Sequence, residues 1–338
     1  MSKHFVYISL PSAAKIACYA QDPASGVLSF VRDTALPGGA APLAVDHARR
    51  CLYAALGSSQ IASFTIDPQS GELKPLGLLS LSAVPCFLSL DQTGRFLLSA
   101  YYTGGAAAVH PLNPDGSVGE VPAVWLSTAR CAHAILTDPS NRFAFVPHVS
   151  QSNVIFQYLF DAKTGRLEPN RVSKVKPLPG AGPRHYVFHP TLPVVYFDNE
   201  QGSSVTAYHL DTANGTLSPF QTLSTLPADF SHENTCAHIA IHPSGRSLYA
   251  ANRGHDSLAG FALDAQGRMT SLGQQPTEKT PTHFAFDDQG HFLYAAGQGG
   301  DRLASYKVDP TSGRLSPLEG YTVGTNPYWV LPLSPGKA

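Results

Sequence analysis

Hydrophobic and polar residues alternate along the chain in short segments of about five residues, a pattern that predicts β-strands. One segment ends in Phe64-Thr-Ile-Asp-Pro-Gln-Ser-Gly71, and variants of this phrase recur along the chain. The Asp side chain accepts hydrogen bonds from the turn backbone and the Gly tolerates a positive φ angle, so each copy predicts a β-hairpin. The turn glycines lie 45 to 52 residues apart, at Gly26, Gly71, Gly116, Gly165, Gly215, Gly267 and Gly313.

A second strand-turn-strand element repeats between these hairpins. Residues 238–250 and 283–295 are two copies, each with a polar turn followed by Leu-Tyr-Ala. Each period of the chain therefore carries four short strands, which is one blade of a β-propeller. The sequence predicts an all-β fold, a seven-bladed β-propeller with four antiparallel strands per blade, formed by residues 1–338 as a single domain.

The two ends of the chain complement each other. Residues 327–333 predict one inner strand, and the chain opens with the three strands that would complete the same blade. We expect this blade, shared between the N- and C-termini, to close the ring and to leave no free sheet edge.

Composition and charge narrow the function classes. The formal net charge is −1, charged residues make up 14% of the chain, and no basic stripe occurs. Nucleic acid and anionic membranes are therefore not expected as partners. The sequence also lacks the apolar stretch of a signal peptide or membrane helix, and its five cysteines include no CxxC pair. We expect a cytoplasmic protein with reduced thiols, and the oligomeric state stays open.

Equivalent positions in successive blades lie at the same radius and height around the axis, so aligned copies predict rings of side chains. The inner-strand starts align a histidine ring of His133, His185, His238 and His283. The turns after the second strands align a more varied ring of Tyr102, His148, Glu200, Arg253 and Gln298. A structural position would converge on one residue type, so this diversity favours an axial pocket for an asymmetric polar ligand. Taken singly, each residue could equally be structural.

Other chemistries find less support in the sequence. No Gly-x-Ser-x-Gly segment is present, so the serine nucleophile of an α/β-hydrolase is not expected. The four ring histidines could bind zinc or copper, but Glu200 is the one carboxylate in either ring and the cysteines show no ligand spacing. We therefore expect neither a metal nor a cofactor.

The segment Gly180-Ala-Gly-Pro-Arg-His-Tyr-Val-Phe-His-Pro190, followed by Asp198-Asn-Glu200, resembles the signature of the seven-bladed lactonase family. Residues 248–253, 295–298 and 323–330 extend the resemblance over nearly the whole chain. The family includes propeller-type bacterial 6-phosphogluconolactonases and fungal 3-carboxy-cis,cis-muconate lactonising enzymes. By motif, the resemblance implies four catalytic residues: His133, Arg184, Glu200 and Arg253. The ring positions supply the expected substrate-binding residues: His148, His185, His238, His283, Gln298 and Tyr102.

The resemblance implies hydrolysis of a lactone, with 6-phosphogluconolactone as the leading substrate. Arg184 and Arg253 would stabilise the oxyanion and bind an anionic group of the substrate. Glu200 or His133 would activate the attacking water. Two alternatives stay open. One is a muconate-type lactonising enzyme, and the other is a non-catalytic propeller that binds a metabolite or a protein partner.

Overall fold

The structure of the protein is a computed structural model that describes residues 3–334. The first two and the last four residues of the expected domain lie outside this range. The described residues contain one short 3-10 helix, Pro11–Ala13, and none of their helices has the length and apolar character needed to cross a bilayer.

All other regular structure in this range is β-strand. The strands are β1 (His4–Leu10), β2 (Lys15–Gln21), β3 (Leu28–Ala35), β4 (Ala40–Val45), β5 (Cys51–Leu56), β6 (Gln60–Ile66), β7 (Leu73–Ser80), β8 (Phe87–Leu90), β9 (Phe96–Tyr101), β10 (Ala106–Pro111), β11 (Val124–Ser127), β12 (Leu136–Thr137), β13 (Phe143–His148), β14 (Val154–Asp161), β15 (Arg166–Val175), β16 (Pro183–Phe188), β17 (Val194–Asn199), β18 (Ser204–Asp211), β19 (Thr216–Ser224), β20 (Thr235–Ile241), β21 (Ser247–Arg253), β22 (Ser257–Leu263), β23 (Met269–Pro276), β24 (Pro281–Phe286), β25 (Phe292–Gly297), β26 (Arg302–Val308), β27 (Leu315–Thr322) and β28 (Trp329–Leu333).

These strands form seven four-stranded antiparallel sheets, one for each blade, so the predicted seven-bladed propeller is confirmed. Blade 1 consists of β4–β7, blade 2 of β8–β11, blade 3 of β12–β15, blade 4 of β16–β19, blade 5 of β20–β23 and blade 6 of β24–β27. Blade 7 combines β28 with β1–β3.

Blade 7 joins the two ends of the described chain. Strand β1 pairs with β2 on one side and with β28 on the other, from Phe5 opposite Leu333 to Ser9 opposite Trp329. The predicted shared blade is therefore confirmed, and backbone hydrogen bonds between distant parts of the sequence close the ring.

The second strand of each blade is almost completely buried. Strands β5, β13 and β17 are buried at every residue. A strand covered on both faces needs a continuous run of residues that tolerate burial, which is why these segments lack strict alternation. In blades 3 and 4 the second strand ends beside the start of the inner strand of the same blade. The polar side chains of the site lie at this end of the blades.

Tyrosines of the second strands join neighbouring blades. The hydroxyl of Tyr7 donates a hydrogen bond to the carbonyl of Gly71 at 3.0 Å. The same bond links Tyr53 to Gly116, Tyr196 to Gly267, Tyr249 to Gly313 and Tyr294 to Gly26. Gly71 has a φ of +68°, and a Cβ there would lie 2.8 Å from the ring of Phe5. The turn glycine is thus required both for its backbone conformation and for the close approach of the adjacent blade.

Candidate active site

A β-bulge at the start of the inner strand positions the functional side chains of blade 4. Strand β16 pairs with β17 at Pro183 opposite Asn199 and next at Tyr186 opposite Phe197. Arg184 and His185 lie between these two pairs, in the bulge. Blades 1, 5 and 6 show a register shift at the same place. Because a bulge interrupts the regular pairing, it re-aims the side chains of the residues that it contains.

Aromatic side chains from five blades meet at the propeller axis. The ring centroid of His185 lies 5.0 Å from that of Phe87 in blade 2 and 6.2 Å from that of Trp329 in blade 7. The Nδ1 atoms of His185 and His238 are 2.9 Å apart. The ring of His283 lies 3.9 Å from that of His238 and stacks on Trp329 at 3.7 Å. Contacts between blades on opposite sides of the ring place these five residues, the axial aromatic cluster, at its centre.

A carboxylate joins two guanidinium groups beside this cluster. Arg184 Nε lies 3.2 Å from Glu200 Oε2, and Arg253 Nη2 lies 3.0 Å from Glu200 Oε1. The side chain of Arg184 is 3% exposed, whereas those of Glu200 and Arg253 are 16% and 23% exposed. Arg184 also contacts the ring of His185, with Nη1 3.3 Å from Nε2. The structure thus brings together three of the four residues expected to be catalytic, with Arg253 on the more open side.

His133, the fourth of these residues, completes the group. Its ring centroid lies 5.1 Å from that of His185 and 5.6 Å from that of Tyr102. Burial lowers the pKa of His133 well below its usual value, and the positive charges of Arg184 and Arg253 lower it further. The imidazole is therefore neutral at pH 7, and its buried Nδ1 has no hydrogen-bond partner within the described residues.

Strand pairing changes the alignment of His133 with the other blades. Ala132 bridges to His148 in the way that Pro183 pairs with Asn199. His133 therefore occupies the register of Arg184, and the expected ring of four histidines is wrong at blade 3. Of the four histidines expected in one ring, only His185, His238 and His283 occupy equivalent positions in their inner strands. The inner strand of blade 3 has only two paired residues, Leu136–Thr137, so its sequence carries little pattern that could fix the register.

His148 lies apart from this group. The backbone N–H of Val149, and not that of His148, makes the hydrogen bond that the N–H of Glu200 makes in blade 4. His148 is fully buried. Its Nε2 lies 3.0 Å from Thr128 Oγ1, and its ring packs edge-on against Phe156 at 4.7 Å. The expected ring of turn residues is thus shifted by one residue in blade 3, and His148 contacts Thr128, Val154 and Phe156 instead.

Tyr102 and Gln298 hold the turn positions of blades 2 and 6. Tyr102 packs edge-on against His133 and is 37% exposed, so its ring is accessible at the mouth of the axis. The side-chain oxygen of Gln298 accepts a hydrogen bond from Thr282 Oγ1 at 3.0 Å. Both residues present polar groups, from blades 2 and 6, on either side of the three blades that carry His133 and the charged group.

The three histidines of the axial aromatic cluster are neutral, as His133 is. Burial lowers the pKa of His185 and His283 well below the usual value and that of His238 to about 3, and Arg184 contributes to each shift. Positive charge at the site therefore comes from the arginines. Within residues 3–334, no group of three or more His, Cys, Asp or Glu side chains is arranged to hold a metal ion.

Asp198 is an acidic residue that the sequence analysis did not single out. It is fully buried, and its Oδ1 accepts a hydrogen bond from the backbone N–H of His185 at 2.8 Å. Burial raises the pKa of Asp198 to about 7, against the opposing effect of Arg184. Asp198 belongs to the Asp-Asn-Glu segment of the signature, but it lies within β17 rather than at the turn that follows.

Comparisons with known proteins agree with this architecture. A family model described as Lactonase, 7-bladed beta-propeller, matches residues 5–332. A 6-phosphogluconolactonase of Pectobacterium carotovorum is 37% identical over 96% of this chain and 97% of its own length. One of Pectobacterium atrosepticum is 36% identical, with 97% and 98% covered. The structure of a periplasmic gluconolactonase of Pseudomonas aeruginosa superposes with a TM-score of 0.91 at 25% identity, covering 99% of this chain and 100% of that one. The chain therefore belongs to the seven-bladed β-propeller lactonase family.

Proposed function

We propose that this protein hydrolyses 6-phosphogluconolactone to 6-phosphogluconate. The observation that carries the proposal is the charged group of Arg184, Glu200 and Arg253 beside the neutral imidazole of His133. The names of the two Pectobacterium relatives support the choice of substrate. The family match over residues 5–332 also supports the view that residues 1–338 form one domain.

The two arginines supply the positive charge that lactone opening requires. Attack of water on the lactone carbonyl places negative charge on the carbonyl oxygen, and a fixed cation stabilises that charge best where water is excluded. Arg184 is almost completely buried and is held by Glu200, so its position is set before the substrate binds. Arg253 is more exposed and can also hold the product carboxylate through its planar, bidentate guanidinium.

His133 is the group that we propose as general base. Both oxygens of Glu200 already face guanidinium groups, whereas Nδ1 of His133 has no partner within the described residues. A neutral imidazole can take the proton of the attacking water and return it to the leaving alkoxide. Glu200 then orients Arg184 and Arg253. Tyr102, Gln298 and the histidines of the axial aromatic cluster are the proposed contacts for the sugar hydroxyls and the phosphate.

An unphosphorylated sugar lactone is the second candidate substrate, because the Pseudomonas neighbour is a gluconolactonase. Purified protein should be assayed with fresh 6-phosphogluconolactone and with glucono-1,5-lactone, by proton release above the spontaneous rate, with and without a chelator. We expect kcat/KM to favour the phosphorylated lactone by at least about tenfold, a preference that one charge-assisted contact can supply. If kcat/KM is equal for the two lactones or higher for glucono-1,5-lactone, the unphosphorylated lactone becomes the proposed substrate. Loss of diene absorbance from a muconate substrate would favour the lactonising alternative.

Arg184→Met tests the role of the site in this reaction. Removing a buried cation at a developing oxyanion should lower kcat/KM by about 10²- to 10³-fold. Arg314→Met, which removes an exposed arginine of blade 6, is the matched control and should retain the wild-type rate. Wild-type activity in a folded Arg184→Met protein would contradict the proposal that the axial site catalyses the hydrolysis.

The proposal also includes a cytoplasmic location. A phosphorylated sugar lactone is a metabolite of central carbohydrate metabolism, and all five cysteines are free thiols. Fractionation of the native host with an antibody to the protein tests this part separately, and recovery in the periplasm would contradict it.

A further inference from the structure

Asp198 stands out when equivalent positions of the seven blades are compared. It is the residue just before Asn199, which pairs with Pro183 at the start of the inner strand. The equivalent residues in the other blades are small or apolar: Ser9, Ala55, Ala100, Pro147, Ala251 and Ala296. A carboxyl group occupies this buried position in blade 4 alone, which is also the blade that supplies Arg184 and Glu200.

One oxygen of this carboxyl group is bonded and the other is not. Oδ1 accepts the N–H of His185 at 2.8 Å, whereas the buried Oδ2 has no hydrogen-bond partner among the described residues. The charged and titratable groups that act on Asp198 are Arg184 from β16, Glu200 after β17, Arg253 from β21 and the thiol of Cys236 from β20. Asp198 is fully buried, lies two residues before Glu200 and bonds the residue that follows Arg184, so its carboxyl group lies on the buried side of the charged group, behind it.

The hydrogen bond to the inner strand does not require a charge. In blade 7 the equivalent bond runs from the N–H of Trp329 to the hydroxyl oxygen of Ser9, at 3.0 Å. A neutral serine therefore holds the same backbone position, and alanine stands there in four further blades. Burying a carboxyl group where a small neutral residue suffices costs free energy. That cost indicates that the carboxyl group of Asp198 serves the active site rather than the stability of the fold.

We propose that Asp198 is a positioning residue that balances the charge of Arg184 and Arg253 from behind and so sets how readily the site accepts a proton. The proposal rests on the proposed lactone hydrolysis. Asp198 does not touch the substrate, and it acts through the two arginines. When it is ionised, it offsets their positive charge, so that proton uptake by His133 during water attack is less opposed.

The titration of Asp198 falls in the range where this balance can change. Burial raises its pKa to about 7, and Arg184 and the hydrogen bond from His185 oppose the rise. Below this pH the carboxyl group is protonated, and two arginines face Glu200 alone. Above it, two carboxylates balance two guanidinium groups. We therefore expect kcat to rise as the pH increases through about 7, in step with the ionisation of Asp198.

Asp198→Asn and Asp198→Ser separate this role from a structural one. Both variants keep an acceptor for the N–H of His185, and the serine copies the arrangement at Ser9. We expect kcat at pH 8 to fall about tenfold, roughly the effect of one pKa unit at a neighbouring base, while KM for the anionic lactone is unchanged or lower. The pH dependence of kcat between pH 6 and 8 should disappear. Ser9→Ala, the matched control, should keep the wild-type pH profile.

A purely structural role would leave kcat and its pH profile unchanged in Asp198→Asn, and that result would overturn the proposal. The serine variant decides the matter if the asparagine variant does not fold. Carboxyl-carbon NMR of the wild-type protein without substrate, assigned with either variant, measures the titration of Asp198 directly. A midpoint near pH 7 supports the proposal, and one near pH 4 overturns it. If the wild-type protein opens no lactone, the proposed function fails, while this titration still tests Asp198.

Discussion

His133, which precedes the inner strand of blade 3, occupies the register position that Arg184 holds in the inner strand of blade 4. The guanidinium of Arg184 helps to lower the pKa of His133, so the propeller holds a neutral acceptor next to a buried cation. In lactone hydrolysis the attacking water must lose a proton while the carbonyl oxygen gains negative charge. This pair places one group for each of these changes on adjacent blades.

Separate substitutions of His133 and Glu200 should distinguish the general base from the residue that orients the arginines. His133→Asn is expected to lower kcat by about 10²- to 10⁴-fold with little change in KM, since it removes a proton acceptor. Glu200→Gln leaves two guanidinium groups without their carboxylate, so it should lower both the melting temperature and the affinity for substrate. Steady-state kinetics and thermal unfolding of both variants measure these effects. A larger loss of kcat in Glu200→Gln, with its fold and KM intact, would identify Glu200 as the base.

The register of blade 3 can be tested with His148→Asn. Asparagine occupies the equivalent buried position in blades 4 and 5, as Asn199 and Asn252, so the exchange suits the local structure. Because His148 is fully buried and contacts Thr128 and Phe156, we expect kcat and KM within about twofold of wild type. The smaller side chain should lower the free energy of unfolding by about 0.5–3 kcal/mol, the usual range for a single substitution. A tenfold rise in KM would place His148 in the substrate site after all.

Tyr7→Phe tests the bond between blade 7 and blade 1. The exchange leaves the carbonyl of Gly71 without its donor in a buried position and should lower the free energy of unfolding by about 1–3 kcal/mol. The active site is unaffected, so kcat should match wild type. Urea unfolding together with the lactone assay measures both quantities. Unchanged stability would show that this tyrosine bond contributes little to blade packing.

The buried neutral histidines predict a loss of stability in acid. The folded protein holds their pKa values below the usual 6.5, so an unfolded chain binds protons that the native protein excludes. Their contribution is therefore fully present above pH 6.5 and is lost as the pH falls toward 4. Asp198, with its raised pKa, acts in the opposite direction but is a single group. The histidines concerned are His133, His148, His185, His238 and His283, to which the buried His110 and His189 add.

Urea unfolding at a series of pH values measures this effect. Each excluded proton adds about 1.4 kcal/mol per pH unit to the slope. His238→Phe keeps an aromatic ring next to His283 and should reduce the slope by one proton. A free energy of unfolding that does not change between pH 6.5 and 4 would contradict the assigned neutral state.

The fold could be predicted from the sequence because its signals are local. The turn that ends in Gly71 has an Asp, or Asn113 in one copy, and a glycine in each blade, so the blades can be counted from their hairpins. The bulge at Arg184 and His185 carries no such signal. The alignment of blade 3 with the other blades, as predicted from the sequence, is therefore wrong by one residue at both His133 and His148. The environment of Asp198 could not be predicted from the sequence because it is made by Arg184, Glu200 and Arg253, which come from two blades. The position of a residue within a repeat can be predicted from the sequence of one blade. The burial of a charged group depends on the side chains that adjacent blades place around it.

A structure of the protein with bound 6-phosphogluconate tests the central claim most directly. The account predicts that the carboxylate formed from the lactone carbonyl lies within about 3 Å of guanidinium nitrogens of Arg184 or Arg253, with His133 on the side from which water attacks. The product bound outside the axial mouth, with Arg184, Glu200 and Arg253 untouched, would contradict it.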